Sequence, residues 1–159
     1  WHSCGLRSDA TVACWGDNEY GQADAPEGAF TAVSAGWKNS CGLRSDATIA
    51  CWGDNRYGRT DAPGGTFTAI STSSGYSCGL RSDATIACWG YNQYGRIDAP
   101  GGTFVAVSAG PTGPSALRPD GTITSWGRLA IDLQGDNPEP PPNPRGDGVP
   151  VPAGGPSDE

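Results

Sequence analysis

The chain has 159 residues and a net charge of −7, with ten basic side chains of which one is lysine, so it lacks the basic patch that a nucleic-acid surface needs. No apolar run approaches the about 18 residues that cross a bilayer as a helix. With 25 Gly, 14 Pro, no Met and no sustained 3.6-residue apolar period, the composition describes an all-β chain of short strands and many turns.

In chain order, one motif dominates. Residues 3–16, 40–53 and 77–90 are near-identical, 114–127 is a looser copy, and Trp15, Trp52, Trp89 and Trp126 mark a fixed 37-residue period. A fixed period of this size signals a repeat architecture. The first copy runs from Trp1 to about Pro26 and lacks the strand that precedes the others, which reads as 30–34, 67–71 and 104–108. Each Trp-Gly is followed by a turn segment and then by an Asp-Ala-Pro connector at Asp24, Asp61 and Asp98. The repeats extend to 134. Residues 135–159 are Pro-, Gly- and acid-rich and read as a disordered linker or tail, with 138–144 a polyproline-type spacer. Arg145-Gly146-Asp147 reproduces an adhesion tripeptide, but three residues match easily by chance.

Each motif reads as a β-hairpin whose loop is Ser-Asp-Ala in three copies and Pro119-Asp120-Gly121 in the fourth. A three-residue loop of this kind is a type I turn followed by a left-handed residue, a slot that Gly121 fills freely and alanine fills at a cost of about 1–2 kcal/mol. With Arg44 and Thr48 bracketing the loop, Leu43 faces Ile49, Gly42 faces Ala50 and Cys41 faces Cys51. Opposed residues lie within disulfide range, which predicts Cys4–Cys14, Cys41–Cys51 and Cys78–Cys88. The fourth copy has Ser115 and Ser125 at these positions, the paired loss that a bonded pair predicts. Three local pairs favour an oxidising, extracellular or cell-surface location. One hairpin face carries Leu43, Ile49 and the cystine, the other Gly42, Ala50 and Trp52, so a bulky face can settle on the mostly small face of the next copy.

Phe-Thr-Ala-Val-Ser-Ala-Gly at 30–36, Ser-Cys-Gly-Leu at 40–43 and Trp-Gly-Asp-Asn-Glu-Tyr-Gly-Gln at 15–22 together resemble the repeat of the regulator-of-chromosome-condensation superfamily. The resemblance covers residues 1 to about 127 and implies β-propeller blades, commonly seven to a ring. Compact spacing and the Asp-Ala-Pro connector look most like bacterial members that include a β-lactamase-inhibiting propeller. The paired cysteines look like secreted or cell-surface relatives and not like the nuclear exchange factor. Three to four copies do not make a ring of seven, so the expectation is a fragment of a larger protein, or copies that assemble between chains. The remaining blades then come from the full-length chain or from self-association.

Positions identical in the intact copies, the four tryptophans among them, are expected to serve packing. Positions that vary on the loop before the hairpin are expected to meet a partner: Trp37, Lys38 and Asn39 in one copy, Tyr76 in the next, Trp1 and His2 in the first. Exposed aromatics on such loops are typical interface anchors. Asp17/Asp54/Tyr91 with Glu19/Arg56/Gln93 form a weaker second set.

Catalytic signals are sparse. His2 is the one histidine, no serine has a nucleophile-elbow context, and cysteines ten apart on opposed strands are not zinc ligands. The 17–19 segment lacks the later glutamate of a calcium loop, and no phosphate-binding glycine loop is present. The reading is therefore a non-enzymatic extracellular repeat module, without cofactor, that binds a protein through variable rim loops. Its rivals are an inhibitor of a secreted enzyme such as a β-lactamase, a purely structural repeat segment and a propeller-type lyase.

Overall fold

A computed structural model describes residues 1–127. Strands β1 (His2–Leu6) and β2 (Val12–Gly16) form the first antiparallel sheet. The second holds β3 (Phe30–Ala35), β4 (Asn39–Arg44) and β5 (Ile49–Gly53); the third β6 (Phe67–Thr72), β7 (Tyr76–Arg81) and β8 (Ile86–Gly90); the fourth β9 (Ala106–Ala109), β10 (Pro114–Leu117) and β11 (Ile123–Ser125). The protein is all-β, a row of propeller blades, with helix among the described residues confined to single 3₁₀ turns at Arg56–Gly58 and Gln93–Gly95. The expected boundary at 134, the tail 135–159, the 138–144 proline run and Arg145-Gly146-Asp147 lie outside the described residues.

Local chemistry sets each hairpin. Arg44 N–H donates to Thr48 O at 2.8 Å and Ala47 N–H to Arg44 O at 2.9 Å, closing the three-residue loop. Ala47 sits at φ 66°, as do Ala10 at 66° and Ala84 at 67°, with Gly121 at 85° in the fourth copy. Asp46 helps hold this strained turn: its Oδ1 accepts Thr48 Oγ1–H at 2.6 Å and Thr48 N–H at 2.9 Å. The same pair recurs at Asp9, Asp83 and Asp120. Hydrogen bonds from the threonine hydroxyl, and then from its N–H, hold all four carboxyls below the ordinary range.

The resulting register opposes Cys4 to Cys14, Cys41 to Cys51 and Cys78 to Cys88, and each pair is bonded. Blades stack with the cystine face of one on the serine–glycine face of the next. Cys41 Sγ lies 3.7 Å from Ser77 Oγ, and a Cβ on Gly79 would lie 3.2 Å from Ile49 Cδ1. Thr72 N–H donates to Ser34 Oγ and Ala109 N–H to Ser71 Oγ across the same interfaces.

The glycine face is less bare than alternation suggests. A β-bulge between Phe30 and Ala32 rotates Phe30 off the cystine face and lays its ring over Gly42. A Cβ at Gly42 would meet Phe30 Cδ1 at 2.6 Å, and the equivalent distance from Gly79 to Phe67 is 2.7 Å. Glycine thus gives the ring above it room in the second and third blades, where a Cβ would press on it. Phe30 meets Trp52 edge-on at 6.3 Å and Phe67 meets Trp89 at 6.5 Å, so Phe, Gly and Trp form the filling of each complete blade. Trp52 Nε1–H also donates to Gln22 O, which ties the blade to the connector before it. Trp15, the counterpart in the first sheet, is 59% exposed, and that two-stranded sheet, which starts at His2, holds no Phe strand.

Candidate functional site

The loops that join the first and second strands of successive blades gather at one rim. Ser73 Oγ–H donates to Gly110 O at 3.1 Å, which fixes the third blade's loop to the fourth's. A groove of about 590 Å³ opens there between Trp1 and His2 on one side, Gly36 and Trp37 in the middle, and Ser73, Ser74 and Pro111 on the other. Trp37 is half exposed and Trp1 almost wholly so. Every side chain lining the groove is uncharged or, at His2, shifted toward the neutral form. Burial is the first cause of that shift and the chain's amino group the second.

Lys38 stands behind Trp37. Its ammonium lies 4.3 Å from the Tyr20 ring centroid and 5.1 Å from that of Trp37, and it donates to Tyr20 Oη at 3.1 Å. Cation–π contact therefore holds a charge at the edge of the aromatic groove.

Two of the expected rim residues are not on the surface. Tyr76 and Asn39 are fully buried, as the register explains. His2, Asn39 and Tyr76 occupy one slot, paired with Gly16, Gly53 and Gly90, and these glycines sit at φ 108°, 101° and 108°. The slot points between blades. Tyr76 fills it, donating its hydroxyl to Gly110 O at 2.7 Å, and burial pushes the phenol pKa up to about 12. Asn39 is too short to make the same reach, and its amide N and O find no partner among the described residues. His2 is half-buried, with Nε2 2.7 Å from Ser40 Oγ. The three share a pairing with a Trp-Gly glycine that the sequence showed, but the pairing alone does not decide burial.

In the second variable set, Asp17 and Glu19 are exposed while their counterparts in the next two blades make internal contacts. Asp54 is buried beneath Arg56, which grips it through Nε and Nη2, and Arg59, whose Nη1 lies 2.8 Å away. Burial raises the Asp54 carboxyl, but the Arg56 hydrogen bonds and the two positive charges outweigh it and hold the net shift downward. Tyr91 packs against Tyr57 with centroids 4.6 Å apart and the rings tilted by 43°. Gln22 is a residue that sequence reasoning missed. It is fully buried, and its carbonyl accepts both Trp52 Nε1–H and Ser40 Oγ–H. Among the described residues no three His, Cys, Asp or Glu side chains are placed to hold a metal ion, and no helix is long and apolar enough to cross a membrane.

This architecture and its repeat define a propeller of one class. The regulator of chromosome condensation (RCC1) repeat matches residues 1–22, 30–59 and 67–96, and the chain belongs to that family. A comparison with curated proteins gave no match. Among solved structures, the chain is similar to the ectodomain of the Physcomitrella patens receptor kinase CR4, at 30% identity and TM-score 0.69 over 79% of this chain and 39% of that one. It is similar also to the ectodomain of the Arabidopsis thaliana receptor kinase ACR4, at 28% identity and TM-score 0.67 over 79% of this chain and 47% of that one. Prp20p of Saccharomyces cerevisiae, whose structure was described together with its binding properties to Gsp1p and histones, shares the fold at 15% identity and TM-score 0.70 over 79% of this chain and 43% of that one. The chain thus spans less than half the length of each of these proteins.

Proposed function

We propose that this protein is a non-enzymatic recognition module of an extracellular or cell-surface protein, and that it reads a protein partner with the Trp37 rim. The observation that carries this reading is the groove itself. Trp37 stands 52% exposed at the groove, whereas Trp52 and Trp89 are 8% and 5% exposed in the blades. An indole left in water at the mouth of a groove has contact area to offer, and anchors of this type dominate interface energetics. Lys38 supplies a charge at the groove edge, and His2 a polar flank. Three disulfides and the likeness to two receptor-kinase ectodomains support the location.

The test is capture of a partner from the native medium with the full chain, followed by titration of that partner against Trp37→Ala. Truncating an anchor costs about 2 kcal/mol or more, about thirtyfold in affinity. A captured partner that binds Trp37→Ala as tightly as the parent refutes the rim reading. Whether that partner is a secreted enzyme such as a β-lactamase, which the bound chain inhibits, is settled by assaying the captured protein.

A further inference from the structure

We propose that the groove beside Trp37 binds a polyproline-II segment, and that the chain's own proline run, residues 138–144, is its first occupant. The inference rests on the reading of this rim as the recognition surface and names the ligand chemistry it takes.

The groove has the chemistry for such a segment. Two exposed indoles, Trp1 and Trp37, face the hydroxyls of Ser73 and Ser74 and the ring of Pro111, with no charged side chain lining the walls. A polyproline-II strand has no internal hydrogen bonds, presents flat apolar rings and outward carbonyls, and loses little entropy on docking. Aromatic-lined grooves recognise it by stacking prolines on the rings and donating N–H or O–H groups to the carbonyls. Indole N–H groups and serine hydroxyls are donors of that kind.

The chain carries the matching segment in the right place. Residues 138–144 read Pro-Glu-Pro-Pro-Pro-Asn-Pro. The described fold ends at this same rim, because Trp126 N–H donates to Pro114 O, at the foot of the loop that bears Pro111. From Gly127 to Pro138 the intervening chain can span up to about 35 Å. The one charge inside the run, Glu139, suits Lys38. The Lys38 ammonium lies over the Trp37 ring and belongs to none of the ion pairs among the described residues. A tethered segment acts at an effective concentration in the millimolar range, so even weak docking keeps the groove filled until a better ligand displaces it.

The test uses the full chain labelled with 5-fluorotryptophan, its Trp37 resonance assigned by loss in Trp37→Phe. A second protein carries serine in place of Pro138, Pro140, Pro141, Pro142 and Pro144. The expected result is a different Trp37 resonance in the two proteins. A synthetic peptide of residues 136–146 should move the serine variant's signal back to the parental position. The parent should need about tenfold more peptide, because its groove is already filled. An identical Trp37 resonance in both proteins overturns the proposal. So does an equal response to a proline-free peptide of the same charge, or a parental shift that grows with protein concentration, which assigns the groove to a second copy. None of these outcomes touches capture of a partner through Trp37, so this inference and the recognition reading fail separately.

Discussion

Trp15 and Trp52 occupy the same position in near-identical motifs, yet one is 59% exposed and the other 8%. The hairpins around them are alike: both are closed by a left-handed alanine, and both are crossed by a cystine. What differs is the neighbour. Trp52 has Phe30 against its edge and the Gln22 carbonyl on its indole N–H, whereas the sheet of Trp15 has no Phe strand. Burial of the indole therefore follows from the Phe strand and the connector packed on it, and the first sheet, starting at His2, has neither.

The most direct way to break that comparison is truncation. Trp52→Ala should cost about 3–5 kcal/mol in urea unfolding, the usual loss for a buried aromatic. Trp15→Ala should cost under about 1 kcal/mol, as exposed sites do. Equal losses would mean that the hairpin alone, and not its neighbour, uses the indole.

The slot shared by Asn39 and Tyr76 sharpens the point at slightly smaller scale. Tyr76→Phe keeps the ring but removes one of the two hydroxyl donors to the Gly110 carbonyl, Ser73 Oγ–H remaining, an expected loss of about 0.5–1.5 kcal/mol. Asn39→Tyr grafts the third blade's solution onto the second and removes two unpaired buried amide atoms, so it should raise stability by about 1 kcal/mol or more. A destabilised Asn39→Tyr would show that the two blade interfaces differ in shape.

Gly42→Ala against Gly5→Ala probes the Phe strand itself. A Cβ at Gly42 would press on Phe30, whereas one at Gly5 would rest 3.6 Å from the Trp15 ring. The first should cost about 1–3 kcal/mol and the second little. Ala116 occupies this slot in the fourth blade, fully packed near Phe104, which places the cost toward the lower end. Melting temperatures of the pair decide it.

The turns of the first three blades should behave alike, since each alanine carbonyl accepts the same bond from the next blade, from Phe30 N–H at Ala10, Phe67 N–H at Ala47 and Phe104 N–H at Ala84, each at 2.8 Å. Ala47→Gly removes left-handed strain and should stabilise by up to about 1 kcal/mol, with Ala10→Gly equal to it. Asp9, Asp46, Asp83 and Asp120 have carboxyls depressed below the unfolded value of 3.8. Their contribution is therefore complete above the unfolded pKa and is lost as pH falls through the folded pKa. The part of the melting temperature these carboxyls govern should be level above about pH 5 and decline below about pH 4, and Asp46→Asn, which keeps an acceptor oxygen, should soften that decline. A melting temperature still level at pH 3 would mean that the threonine bonds persist to protonated carboxyls.

The sequence by itself determined what lies within one hairpin. The three-residue loop, the left-handed alanine, the opposed cysteines and the two alternating faces depend on residues no more than about a dozen positions apart. Turn chemistry and strand period fix those without help. The all-β blade row was legible for the same reason, because a 37-residue period repeats each local solution. Only the tertiary structure decided the rest. The bulge that turns Phe30 over Gly42, the burial of Tyr76 and Asn39 in the interblade slot, the exposure of Trp15 and the groove under Trp37 all involve partners from another strand or another blade. Tyr76 meets Gly110 from 34 positions away, and Trp52 meets Gln22 from 30. Variation between copies marked the slot correctly as unlike from blade to blade, but it could not tell a surface that meets a partner from an interface that meets the next blade. Both are places where the motif alone leaves a side chain unpaired, and only stacking determines which side chain is covered.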